Sequence, residues 1–509
     1  MKTSKPKKQN GWVMARKLTQ AVSFLLFFGA ILFSRSGGLP PVWTEFTVRL
    51  SPLSALANLL ASKTFLSWST LSLILLLSSL FFGRAWCGWL CPLGTILDLF
   101  RFSRNNQKTP PQNLRKLKYG LLIVILLAAI FGNLTFLFFD PITIFTRATT
   151  LTIIPILDKT IYALESTLAR VPLFANGVYA FDAWLRPGIL PQTAAIIQYS
   201  FIVGLFFIGL VSLNLIAERF WCRYLCPLGA MLGLFSKISL FQRRPKEECS
   251  ECGLCSKDCP TGTIDPQNGF KSNPSECTLC MNCRQSCKRS TFTFTPKWKP
   301  ADWKSYDPDR RTFLSAAGIA IASAALFSVN WFKKTAKNFL LRPPGVTSEE
   351  DFLSKCIRCG VCLQVCPTQG LQADFTQSGV EGVWTPILNP RIGFCQYSCN
   401  TCGQNCPVQA IPALPLDEKQ QAVIGHAFID HNRCIAWANH ENCIVCEEMC
   451  PLPEKAITLE LGTFTDPDGS TIEVHLPVVD RNRCIGCGTC ENKCPLSGEA
   501  AIRVYTISV

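Results

Sequence analysis

At 509 residues the chain is long enough for several domains, and it holds 28 cysteines but only four histidines. Tight CxxCxxCxxxC runs in so long a chain exclude a small disulfide scaffold, whose cysteines would pair distant strands. His426, His431, His440 and His475 all lie late and none follows a CxxC, so no haem attachment is expected. No glycine-rich strand–turn–helix fingerprint appears, and no flavin is expected. The net charge of +15 is unevenly placed: residues 1–349 hold 40 Lys+Arg against 17 Asp+Glu, and residues 350–509 hold 10 against 18. A basic half that also carries the apolar runs suits loops facing anionic lipid and does not call for nucleic acid.

In chain order, apolar runs of spanning length predict helices over 18–33, 65–82, 119–139 and 194–217, with a fifth over 312–332. Crossing ~30 Å of hydrocarbon takes about 20 apolar residues. The first run is the shortest and also reads as a signal-type anchor. Positive charge collects at Lys2, Lys5, Lys7 and Lys8, then at Arg101, Arg104, Lys108, Arg115, Lys116 and Lys118. It collects again at Arg219, Arg223, Lys237, Arg243, Arg244 and Lys246. The positive-inside rule places these three clusters in the cytoplasm. The long loop 140–193 then lies on the opposite side, as does everything after the fifth span.

A repeat stands at an offset of 135 residues. RAWCGWLCPLGTILDLF over 84–100 matches RFWCRYLCPLGAMLGLF over 219–235 at 11 of 17 positions. Both copies follow an apolar span at its cytoplasmic end, so the repeat is parallel. Each holds one CxxxCP motif, Cys87 with Cys91 and Cys222 with Cys226. On a helix, positions i and i+4 share a face. Two such pairs could converge on a shared metal centre at the interface, and inert or redox-active thiols are the alternative. Arg84, Arg219 and Glu218 lie nearby and could orient a quinone ring or move protons, or simply make structural contacts.

The other 24 cysteines form six blocks. They are Cys249, Cys252, Cys255 and Cys259; Cys277, Cys280, Cys283 and Cys287; Cys356, Cys359, Cys362 and Cys366; Cys395, Cys399, Cys402 and Cys406; Cys434, Cys443, Cys446 and Cys450; and Cys484, Cys487, Cys490 and Cys494. CxxCxxC lets one tight loop present three sulfurs to one [4Fe–4S] cluster, and the fourth cysteine reaches the neighbouring cluster in two-cluster ferredoxins. The first two blocks therefore predict Cys249, Cys252, Cys255 and Cys287 together, and Cys259 with Cys277, Cys280 and Cys283. A short hairpin should join them. Zinc on the same thiolates is the alternative. The last four blocks could pair by nesting, third with sixth and fourth with fifth, or in sequence. Asp309–Leu314 reads DRRTFL, like a twin-arginine export signal before the fifth span.

Over about residues 10–295, the paired CxxxCP motifs and the following two-cluster block resemble the membrane subunits of NapH-type quinol dehydrogenases. Residues 308–509, with RRTFL and four cysteine blocks, resemble four-cluster ferredoxins of the NapG/MauM type. The resemblance implies a fusion that oxidises menaquinol or ubiquinol and passes electrons to an extracytoplasmic reductase, as part of a larger complex. The expected fold is a four-helix membrane core over 1–245 and a cytoplasmic α+β ferredoxin domain over 246–300. A fifth helix and linker follow over 301–345, and an extracytoplasmic four-cluster domain over 346–509. Cofactors are six [4Fe–4S] clusters and a seventh metal centre at the CxxxCP motifs, with quinone as substrate. A CcoG-like metal reductase would share the core but would not need the four outer clusters. A NosR-like regulator would be expected to carry a large domain before the spans.

Overall fold

The computed structural model describes residues 11–36, 41–64, 69–101, 112–186, 197–287, 291–296, 340–465 and 471–506, with five isolated positions between 289 and 322. The fifth predicted span and the RRTFL motif lie largely outside the described residues. The chain forms two compact units, each assembled from separated segments. One comprises Met1–Ala30, Phe46–Ala148 and Ile202–Ala324, and the other Ile31–Glu45, Thr149–Phe201 and Ala325–Val509.

In the first unit the opening helix is longer than the apolar run predicts, Gly11–Leu32. Among the described residues it is the one helix long and apolar enough to cross a membrane. The second predicted span appears as Ser69–Phe82. The third is not continuous: Lys116–Ile130 ends at a turn where Gly132 adopts φ +79°, and a 3-10 turn, Thr135–Phe139, follows. A glycine in the left-handed region stops a helix whatever the hydrophobicity around it. The fourth appears as Ser200–Ser212. Pro52–Ser62 and Pro227–Ser236 add shorter apolar helices.

The stretch 140–193, expected as a loop, is largely helical: Pro141–Ala148, a π turn at Thr149–Ile153, then Ile154–Leu168 and Pro172–Leu185. Among the described residues, Pro141, Pro155 and Pro172 stand within the first two positions of these helices. Asp140 caps the first of these helices by accepting from the Thr143 amide at 3.1 Å and from Ser51 at 2.9 Å.

Among the described residues, every sheet has two antiparallel strands. Phe241–Pro245 pairs with Phe292–Pro296 and closes the first two cysteine blocks into one domain, with the predicted hairpin, Ile264–Asp265 on Lys271–Ser272, between them. The second unit repeats the plan at larger scale. His426–Ile429 pairs with Ile502–Tyr505 around the last two blocks, and the long hairpin Ile457–Thr465 with Thr471–Val479 lies between. Leu371–Ala373 and Pro386–Leu388 pair between the third and fourth.

Candidate metal centres

The four blocks with strict CxxCxxC spacing share one backbone device. The residues on both sides of the second cysteine are left-handed: Glu251 and Gly253, Leu279 and Met281, Arg358 and Gly360, Gly486 and Gly488. Non-glycine residues persist in that region only where the surroundings hold them, as at functional loops. The result turns amides onto sulfur: those of Leu279 and Asn282 face Cys277 and Cys280, and that of Val361 faces Cys359.

The sulfurs gather in fours, and the fourth cysteine of each block joins its neighbour's loop. Cys259 lines one cavity with Cys277, Cys280 and Cys283. Cys255 lies beside Cys249 and Cys287, while Cys252, the remaining member of that block, is exposed. Cys366 joins Cys395, Cys399 and Cys402, and Cys406 joins Cys356, Cys359 and Cys362. Cys450 joins Cys484, Cys487 and Cys490, and Cys494 joins Cys434, Cys443 and Cys446. Of the two pairings left open by the spacing, the structure adopts the sequential one.

The four cavities are small, of similar size, and have nearly apolar walls. Similar size and identical donors suit one polynuclear group in each. Among the described residues, no three of His, Cys, Asp or Glu converge as a single ion requires. Burial first, and neighbouring thiols second, push the Cys446 thiol up to about 12. Cys277 and Cys359 are likewise raised to about 12 by burial. Such thiols ionise only around a positive centre.

The four sets of the second unit form a line. Cys402 is a close neighbour of Cys362, the Cys395 amide donates to the Cys487 carbonyl at 2.8 Å, and Cys446 neighbours Cys490. The order is thus Cys356, Cys395, Cys484 and Cys434 sets, not the order of the chain.

In the first unit all four CxxxCP cysteines are buried and meet. The expected single helical face does not occur. Cys87 lies in the short helix Ala85–Trp89, and Cys91 is the N-cap of the next helix, Pro92–Leu99. In the second copy Cys222 lies in a π turn, Trp221–Leu225, and Cys226 caps Pro227–Ser236. The Cys-Pro pair is therefore an N-cap followed by proline at N1, which breaks the preceding helix and presents the sulfur at a helix N-terminus. Gly229 donates its amide to Cys226 Sγ at 3.2 Å. Burial raises the Cys226 thiol, and so do Cys222 and Cys87 beside it.

The copies clasp each other through their arginines. Arg84 Nη2 donates to the Cys222 carbonyl at 3.3 Å, and Arg219 Nη1 donates to the Cys87 carbonyl at 3.2 Å. Each is 1% exposed. Arg219 also forks onto Asp98 at 2.7 and 2.6 Å, and Arg84 pairs with Glu276 at 3.0 Å. Lys118 reaches the other oxygen of Glu276 at 2.5 Å. Glu218 and Arg219 line a small polar cavity with Asp98, Arg101 and Asn214, and Arg84 is not part of it. Asp98, Lys118 and Glu276 escaped the reading of the sequence. Asp98 had a signal, since the second copy carries Gly233 at the equivalent position.

A profile described as a 4Fe-4S binding domain matches residues 64–110 and 199–246, each enclosing one CxxxCP pair. Profiles of the same description match 352–372 and 476–502. The methylamine utilization ferredoxin-type protein MauM of Methylorubrum extorquens is 34% identical over 210 residues, 40% of this chain and 90% of that protein. The ferredoxin-type protein NapG of Escherichia coli is 33% identical over 207 residues, 39% of this chain and 87% of that one. Protein NirI of Paracoccus denitrificans is 31% identical over 233 residues, 43% of this chain and 27% of its own length. No solved structure matches.

Thiols gathered in fours, with these matches, define an iron–sulfur electron-transfer protein of ferredoxin type. The chain belongs to the family of the ferredoxin-type proteins MauM and NapG.

Proposed function

We propose that the chain is a membrane-bound quinol dehydrogenase, a NapH-type core fused to a MauM/NapG-type ferredoxin. All 28 cysteines hold seven [4Fe–4S] clusters in this reading, and the clusters supply one-electron transfer. Electrons from quinol leave toward an extracytoplasmic redox partner. The observation that carries the reading is the buried CxxxCP tetrad joined to a two-block ferredoxin domain within one unit.

Membrane placement draws support from apolar surface too extensive for water. Leu18, Leu25 and Leu26 on the opening helix and Phe201, Leu205 and Ile208 on Ser200–Ser212 are all exposed. The topology also draws support from the units. The stretch after the first helix, the segment from Thr149 to Phe201 and the last four blocks are expected on one side, and they belong to one unit. There the Gln198 amide donates to Gln372 at 2.8 Å and Tyr199 packs on Phe375.

The test is anaerobic addition of a menaquinol analogue to membranes holding the whole chain. Cluster reduction followed by EPR is the expected result. Clusters that stay oxidised while dithionite reduces them would overturn the quinol reading.

A further inference from the structure

The 17-residue copies differ at six positions, and two of the differences face the same object. Gly88 stands where the second copy has Arg223, and a methyl group there would lie 2.3 Å from the Thr278 carbonyl oxygen. Gly233 stands where the first copy has Asp98, and a methyl group there would lie 2.9 Å from the Ser275 carbonyl oxygen. Trp89 Nε1 donates to the Leu279 carbonyl at 3.0 Å. The loop that carries Cys277 and Cys280 is therefore seated in a groove cut from both copies. Arg115 donates to the Thr261 and Gly262 carbonyls at 2.9 and 2.7 Å, two and three residues past Cys259 of the same set.

Arg84 crosses this junction. Its Nη1 donates to the Ser275 carbonyl at 3.1 Å and to Glu276 at 3.0 Å, and its Nη2 donates to the Cys222 carbonyl at 3.3 Å. One planar group thus ties a tetrad cysteine to the residue before Cys277. The helix below is cut away to admit it: a methyl group at Gly229 would stand 2.5 Å from Arg84 Nη2. A lysine offers a point charge and cannot span both ends as the rigid fork does.

We propose that Arg84 is a positioning residue that fixes the CxxxCP tetrad against the Cys259, Cys277, Cys280 and Cys283 set, making these two the directly coupled pair of the first unit. The inference rests on the reading that both sets hold iron. It leaves the Cys249, Cys252, Cys255 and Cys287 set as the outer one, ending at exposed Cys252.

The test uses the full chain, reduced anaerobically, with iron per chain and the magnetic splitting between clusters as readouts. In the unsubstituted chain a splitting is expected that Cys87→Ser abolishes together with one cluster's iron, and that Cys252→Ala leaves in place. Arg84→Gln should keep the iron of both sets and lose the splitting, and Arg84→Lys should not restore it. Gly88→Ala, which removes no charge, should lose the splitting by displacing the loop, and it decides the matter if Arg84→Gln fails to assemble. Unchanged splitting in Arg84→Gln or Gly88→Ala, with iron intact, overturns the positioning role alone. If Cys87→Ser changes neither iron nor spectrum, the tetrad holds no cluster, and the underlying reading falls with the inference.

Discussion

Replacing Cys259 by alanine should destroy the site built on the following cysteine block, not the one built on its own. Cys259 follows Cys255 by four residues, yet its sulfur lines the cavity of Cys277, Cys280 and Cys283. In the proposed reading, seven sets of four thiols holding four irons each amount to about 28 irons per chain, so losing one set removes about a seventh. Residues serving one site are not additive, and residues serving separate sites are. Cys259→Ala and Cys280→Ala together should therefore cost about four irons, no more than either alone. Cys259→Ala with Cys252→Ala should cost about eight. Iron analysis of anaerobically purified chain reads the difference directly, and EPR of the reduced protein identifies which signal has gone. If the first pair loses eight irons and the second four, the block keeps its own fourth cysteine and the exchanged arrangement is wrong.

The same logic applies in the second unit, where Cys366→Ala and Cys402→Ala should be non-additive, and Cys366→Ala with Cys490→Ala additive; the reverse would restore nested pairing. Asp98→Asn leaves the buried Arg219 without its carboxylate, and removing one partner of a buried pair costs about 3 kcal/mol, read here as a lower temperature of cluster loss. Burial opposes ionisation of Asp98, but the charge and hydrogen bonds of Arg219 outweigh it and hold the carboxyl well below its usual range. Because the folded value is depressed, this stabilisation is complete at neutral pH and disappears as pH falls below about 4, the ordinary carboxylate range. The asparagine chain should lack that part of the acid sensitivity.

The cysteine sets were legible because cluster binding writes itself into short spacings. Cys249 to Cys255 must sit on one loop, and no distant residue can change that. The exchange of Cys259 and Cys287 followed from the same local rule. Pairing in the last four blocks was not legible, because it depends on which hairpin folds back on which, and irregular gaps before Cys399 and Cys443 blur the pattern. Among the described residues, the first four apolar runs located helices but not their ends. Gly132 breaks the third run, and the stretch expected as a loop holds helices opening at Pro141, Ile154 and Pro172. At the CxxxCP motifs the four sulfurs meet, but not through the i, i+4 geometry. The sulfurs meet because each motif ends one helix and caps the next. The repeat held one further message in its mismatches: Gly88 against Arg223 and Asp98 against Gly233 mark the groove that receives the ferredoxin loop.

In the proposed reading, where the tetrad holds a cluster, the charges around it follow from what four buried thiolates require. Four thiolates on a [4Fe–4S]2+ core carry a net charge of about −2, which is costly away from water unless compensated. Arg84, Arg219, Lys118 and Arg16 supply four positive charges, and Glu276 and Asp98 return two negative ones. Arg115 and Arg223 lie near Glu276 as well, so the surroundings are net positive. Neither acid is idle in that balance. Glu276 holds Arg84 and Lys118 together, and Asp98 holds Arg219 and Arg16. Each carboxylate thus fixes two like charges that would otherwise repel. Glu276 belongs to the ferredoxin loop and Asp98 to the first CxxxCP copy, so one of the two charge clamps is completed only when the loop is seated. Compensation of the buried centre and docking of the ferredoxin domain are consequently the same event.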